Sequence, residues 1–186
     1  MKIIEYVSEV ADLLSLWDAT KVDLNIIENN DATTVSRINK ICNLVNDVVY
    51  EIAMNFVPMI TQTQVKTSDG VVPFSQLRPN VISIEKILDE NGKEINFIIY
   101  PEKLKMDKTS GTIYYRRLPN YYKKGNEIDF TENEVPKKVI LYGTAAEFCL
   151  TEGLFEEAVV WHEKYREQIK MLTKPKNYKL AKREWA

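Results

Sequence analysis

The chain is poor in the residues that make chemistry easy to recognise. Among its 186 residues there is one histidine, His162, and there are two cysteines, Cys42 and Cys149. The cysteines stand far apart without the paired spacing of a zinc or redox motif, and a chain of this size needs no disulfide to hold a core. Both therefore read as reduced, core-type residues. No G-x-S-x-G elbow, no Walker-type glycine loop and no G-x-G-x-x-G occurs, which removes the commonest acyl-transfer and nucleotide-binding signatures.

Long apolar runs are missing as well. No stretch approaches the roughly 18 apolar residues of a membrane span. Glu5, Glu9 and Asp12 interrupt the first segment where a signal peptide needs an unbroken apolar run, so the expectation is a protein made and kept in a cytosol, with no membrane partner. Strong charge of one sign is absent too. A formal net charge of −2 gives no overall attraction toward nucleic acid or an anionic membrane, so such a contact would have to be local.

What is present is ordinary material for a folded chain: 45% apolar and 28% charged residues, enough to bury one sizeable core or two small ones. Ile3, Val7, Val10, Ala11, Leu14 and Trp17 share one helical face, which predicts a short amphipathic helix at the start. After ENNDATT a stronger pattern runs through Val35, Ile38, Ile41, Cys42, Val45, Val49, Ile52 and Phe56. Asp31 or a following threonine would cap it and Pro58 would stop it.

From Gln62 to about Glu132 the character changes to short β-branched and aromatic runs with turn chemistry at SDG, ENG, TSG and KKGN. VISIEKIL and INFIIY flank DENGKE and are expected to pair as one hairpin. KLKMD and TIYYRRL flank KTSG and are expected to pair as another, each with a glycine where positive φ is cheap. Alternating polar and apolar residues predict one wet face.

Helical spacing returns after Pro136, with Val139, Tyr142, Gly143, Ala146 and Leu150 on one face, until Gly153 breaks it. A last helix carries Phe155, Ala158, Val159, His162, Tyr165, Ile169 and Leu172 on one face and ends at Lys174–Pro175. The fold class expected is α+β. A helical body, made of N-terminal helices and a C-terminal αα-hairpin, carries an inserted antiparallel β module and an extended C-terminal arm. The expected boundaries are 1–60, 61–133, 134–172 and 173–186.

Two chemical readings of the hairpin fail on geometry. A Cys/His dyad needs sulfur and nitrogen within roughly 3 to 4 Å, but a turn at Gly153 sets Cys149 opposite Ala158 and His162 about one helical turn further on. A metal held by paired helices wants Glu-x-x-His, and the residue three before His162 is Val159. Glu147, Glu152, Glu156 and Glu163 form no repeated pattern and read as a solvated face. Asp69, Asp89, Glu90, Asp107 and Asp129 fall at turns, where carboxylates cap backbone. Gly143, Thr144, Ala145 and Ala146 instead read as a close helix contact filled by Phe148, Phe155, Trp161 and Tyr165, with His162 packed or half-buried. No catalytic residue, no metal and no cofactor is expected.

The final segment is different. Lys174, Lys176, Lys179, Lys182 and Arg183 stand against one acid, Glu184, with Tyr178, Leu180 and Trp185 among them. It cannot form a core alone, and its aromatic and aliphatic side chains would be wasted on a purely solvating tail. It reads as a partner-docking arm. Phosphate contact by its cations is the lesser reading.

Taken together, DFTENEVPKKVILYG, YGTAAEFCLTEGLFEEAVVWHEKYREQIKML and VISIEKILDENGKEINFIIYPEKLKMDKTSGTIYYRRLP resemble the head–tail connector, or adaptor, proteins of tailed bacteriophages, over a little under half of the chain. The resemblance implies a non-enzymatic virion protein at the neck or portal vertex, synthesised in the bacterial host cytoplasm. It implies a homo-oligomeric ring, with twelve the expected copy number, docked beneath the portal protein and above downstream tail or neck proteins. DNA would pass transiently through its lumen during genome ejection. The hairpin from Val139 to Leu172 would then serve as body and subunit contact, and Lys174 to Ala186 as the portal-docking arm. A tail gatekeeper or tail-tube type of ring protein shares the β module and is the nearest alternative. A nucleic-acid-binding regulator is an alternative of another class, set against it by Glu156 and Glu157 at the start of the last helix, where phosphate would be repelled.

Overall fold

A computed structural model describes residues 1–17, 22–24, 27, 30–77 and 81–173. The chain is α+β, in the order α1 (Ile3–Leu14), α2 (Ala32–Asn55), β1 (Met59–Lys66), β2 (Val71–Pro73), β3 (Val81–Leu88), β4 (Phe97–Ile99), β5 (Lys103–Met106), β6 (Ser110–Arg117), α3 (Lys137–Thr151) and α4 (Phe155–Leu172). It divides into two compact units. One comprises Met1–Val48 together with the chain from Lys123, and the other is Val49–Tyr122, so the division falls within α2.

In the helical unit, α1 begins where the Glu5 carboxylate accepts the Lys2 backbone N–H at 3.0 Å, satisfying one donor that the first turn leaves orphaned. It ends at Ser15, whose left-handed φ of 51° turns its N–H back onto the last carbonyls. Ile3, Val7, Val10 and Ala11 are fully buried, as their spacing predicts, whereas Trp17 lies beyond the helix end.

Asp31 caps α2 as anticipated. Its carboxylate accepts the Thr33 and Thr34 N–H groups at 2.9 and 3.0 Å and the Thr34 hydroxyl at 2.6 Å. Those bonds favour the ionised form and hold its carboxyl below the ordinary value.

α3 is buried more widely than one helical face. Val139, Ile140, Leu141, Gly143, Thr144, Ala145, Ala146, Phe148 and Cys149 are all buried, while Leu150, expected on the inward face, is exposed. A helix buried on most sides loses the one-sided pattern that periodicity detects. α3 packs against both α4 and α1.

The β unit holds two three-stranded antiparallel sheets, ordered β1-β6-β3 and β2-β5-β4. Their core is Val65, Val72, Leu77, Ile87, Ile95, Leu104, Met106, Ile113 and Tyr115. β6 alternates as expected of a half-wet strand, with Gly111, Ile113, Tyr115 and Arg117 buried. The Tyr115 hydroxyl finds a partner in the Thr63 hydroxyl at 3.0 Å, so the ring is buried without an orphaned oxygen.

Neither expected hairpin forms. β3 pairs with β6 rather than β4, and β5 pairs with β4 and β2 rather than β6. The DENGKE turn does exist: Gly92 takes a φ of +77°, and Asp89 Oδ1 accepts the Asn91 and Lys93 N–H groups at 2.9 Å each. After a single bridge between Leu88 and Glu94 the strands part. β4 offers three residues for pairing whereas β6 offers eight, so β3 satisfies more backbone groups on β6.

At KTSG the anticipated turn glycine is a strand residue instead. A Cβ on Gly111 would lie 2.9 Å from the Ile95 Cδ1, so the position needs absence of bulk rather than positive φ. Strands end at Arg117, short of the residue 133 expected for the β module.

Asp89 also accepts a hydrogen bond from Lys108 Nζ at 2.6 Å, and this bond, with the backbone N–H groups, lowers its pKa from 3.8 to about 2. A depressed carboxyl contributes stability above its unfolded value and loses it as pH falls through the folded one. The β unit is therefore expected to weaken between about pH 4 and pH 2, and Asp89→Asn to flatten that part of the curve. Denaturant melts at stepped pH check it; an unchanged slope in the variant would count against the assignment.

Candidate interaction surface

The α3–α4 hairpin is built around one missing side chain. A Cβ on Gly143 would stand 2.8 Å from Val48 Cγ1 and 3.1 to 3.2 Å from the Tyr165 ring, so the α2 and α4 side chains close directly on the α3 backbone. Beside this contact, the Tyr142 and Trp161 rings lie 5.6 Å apart, and Lys164 Nζ sits 4.1 Å from the Trp161 centroid and 5.9 Å from that of Tyr142. Lys40 and Glu152 pair at 2.5 Å near the hairpin's bend, and the same ammonium lies 5.4 Å from the Phe148 centroid. Thr144 is fully buried, and its hydroxyl has no hydrogen-bond partner among the described residues.

The buried seam of α4 runs through Ala158, Tyr165 and Ile169, with Trp161 and Leu172 half-buried between and after them. These positions step by three and four, the register of one helix lying along another. Phe155, Val159 and His162, assigned to the same face on periodicity, flank the seam and are exposed. His162 is thus exposed rather than packed, and its ring centroid lies 6.3 Å from that of Tyr165, the two rings tilted.

Cys149 is buried, and its sulfur meets Glu157 Oε2 at 4.0 Å, not the histidine. Burial first, and the Glu157 charge second, raise its thiol pKa, which opposes thiolate formation and nucleophilic use. Burial likewise raises that of Cys42. Among the described residues no three His, Cys, Asp or Glu side chains come close enough to hold a metal ion.

The chemistry-bearing residues are thus dispersed, and what gathers at the hairpin's bend is apolar surface. Leu150 is 51% exposed, Leu154 43%, Phe155 65% and Val159 58%, all within ten residues of chain. Isolated exposed apolar residues are normal, but a run of four on one bend is what interaction surfaces use. The arm residues Lys174, Lys176, Tyr178, Lys179, Leu180, Lys182, Arg183 and Trp185 lie outside the described residues.

Fold and surface define a two-unit α+β protein whose helical unit presents an apolar bend. No protein-family model matches the chain, and no curated protein matches it. No helix among the described residues is long and apolar enough to cross a membrane.

Proposed function

We propose that the chain is a structural subunit of a tailed-phage head–tail connector. In this reading identical copies form a ring at the portal vertex, between the portal protein and the tail, that continues the DNA channel. The observation that carries it is the exposed apolar bend of Leu150, Leu154, Phe155 and Val159. A ring needs head-to-tail contacts on every copy, and a rigid helical hairpin with an uncovered apolar end offers one half of such a contact. The resemblance of the hairpin and β segments to connector sequences supports the same role. The dispersal of Cys149, His162 and the glutamates favours a binding part over an enzyme.

In this reading the basic arm docks the subunit onto its partner. Truncation after Thr173 is expected to leave the unfolding transition in place and to abolish incorporation beneath the portal. Native mass spectrometry of the full and truncated chains, each with and without portal protein, separates the outcomes. A ring mass that appears only with the full chain supports the role. Normal incorporation of the truncated chain would refute the arm, and a persistent monomer showing turnover would refute the connector reading.

A further inference from the structure

In the ring reading the hairpin bend is one half of a contact, and the β unit holds a surface that fits the other half. The sheet ordered β1-β6-β3 turns Ile84, Ile87, Ile113 and Tyr115 to the core, and its second face is open. β3 crosses this sheet with two bulges, between Val81 and Ser83 and between Ile84 and Lys86. Each sets two β3 residues against one residue of β6. Ile82 and Ser83 thus stand together opposite Arg116, and Glu85 and Lys86 opposite Tyr114, all on the open side. The Glu85–Arg116 ion pair at 2.5 Å and the Lys86 ammonium 5.1 Å from the Tyr114 centroid agree with that placement. β1 adds Ile60, also opposite Arg116, and ends in Lys66.

The open face is apolar and basic. Ile60 is 59% exposed and Ile82 43%. Lys66, Lys86 and Arg116 are its cations, and Glu85, tied to Arg116, is the one carboxylate along its paired strands. The hairpin bend is apolar with the opposite charge. From Glu147 to Glu163 the chain carries five carboxylates and no lysine or arginine. Lys40 and, less closely, Arg37 answer Glu152. Glu156 and Glu163 stand one helical turn before and after the exposed Val159 and Val160, and neither has an ion-pair partner among the described residues. The two patches are thus complementary in charge as well as in apolar surface. Because they differ from each other, the contact they make is head-to-tail, the kind from which rings are built.

We propose that the hairpin bend of one copy seats on the open β1-β6-β3 face of a second copy, Phe155 and Val159 against Ile60 and Ile82, with Glu156 and Glu163 toward the cations of the face. The inference rests on the connector reading, in which the bend is a subunit contact, and names the surface that receives it.

The test uses the full chain with benzoylphenylalanine replacing exposed Phe155, mixed with ¹⁵N-labelled chain lacking the photoprobe, irradiated with portal protein present and mapped by peptide mass spectrometry. Adducts joining the unlabelled bend to labelled β1, β3 or β6 peptides are expected. Lys66→Glu with Lys86→Glu in the labelled chain should lower their yield about tenfold, because attraction becomes repulsion, and neither lysine has a carboxylate partner of its own to lose. Glu156→Lys with Glu163→Lys in the photoprobe chain should restore it. Adducts confined to the unlabelled chain, adducts to other segments of the labelled chain, or a yield that the paired reversals neither lower nor restore would each overturn the proposal. Duplex DNA held by the parent and lost in Lys66→Glu with Lys86→Glu, at unchanged adduct yield, would assign the face to phosphate and overturn it too. Adducts to another segment of the labelled chain leave the bend as a subunit contact and the connector reading intact. A ring that forms with no adduct from the bend removes the bend from the contact, and that reading loses the observation that carries it.

Discussion

Gly143→Ala is expected to destabilise the helical unit by about 1–3 kcal/mol, against the usual gain when alanine replaces glycine inside a helix. Propensity alone would add roughly 1 kcal/mol of stability. The new methyl, however, would lie 2.8 Å from Val48 Cγ1 and within 3.2 Å of two Tyr165 ring carbons. Val48 belongs to a helix and is nearly fully buried, and Tyr165 is buried too, so neither can withdraw without opening another contact. The two helices closing on α3 must therefore move apart. Chemical denaturation of the single variant and of Gly143→Ala with Val48→Ala measures it, since shortening Val48 should recover part of the loss. A variant as stable as the parent would show that the three-helix contact is looser than 2.8 Å implies.

The second large effect concerns assembly rather than folding. Phe155 and Val159 are more than half exposed, so Phe155→Asp with Val159→Asp should shift unfolding stability by no more than about 0.5 kcal/mol per site. If the bend is half of a ring contact, each copy loses the burial of a phenylalanine, about 1.5–3 kcal/mol. That corresponds to about ten- to a hundredfold in the dissociation constant of every contact, before the charge introduced into an apolar interface is counted. Closed rings repeat the loss at each joint. Mass photometry in the presence of portal protein, with the isolated variant's melting curve as control, reads both quantities. Unaltered ring formation by a well-folded double variant would exclude the bend as the subunit contact.

These two residues also mark where the sequence is easy to misread. All four helices are legible because their apolar positions recur at helical spacing and their ends carry recognisable chemistry, Asp31 before α2 and Pro136 before α3. Side-chain direction within α4 is not legible from a broad stripe. Its core seam is the narrower series Ala158, Trp161, Tyr165, Ile169 and Leu172, fixed by the partner helix rather than by α4 itself. The strands are legible for a similar reason and their pairing is not. DENGKE specifies a reversal of the chain, yet which strand lies beside β3 depends on how many backbone groups a distant segment can satisfy, and β6 is distant. The close contact at Gly143 was visible as a run of small residues, but its partners, Val48 and Tyr165, come from two other helices and no local signal names them. As for the site, the arm is readable only in composition, and the exposed bend was hidden inside a stripe that resembled core.

The helical unit is assembled from two ends of the chain, and this carries a consequence for synthesis. Ile3, Val7, Val10 and Ala11 on α1 are buried in the finished unit, where α1 packs on α3, yet α3 begins at Lys137. At translation rates of ~5–20 residues per second, α1 leaves the ribosome on the order of ten seconds before its partner exists. During that interval an apolar helical face is held open beside a growing chain, and the β unit is completed first. The nascent protein should thus be a client for chaperones that hold short amphipathic helices, with release timed by the emergence of α3.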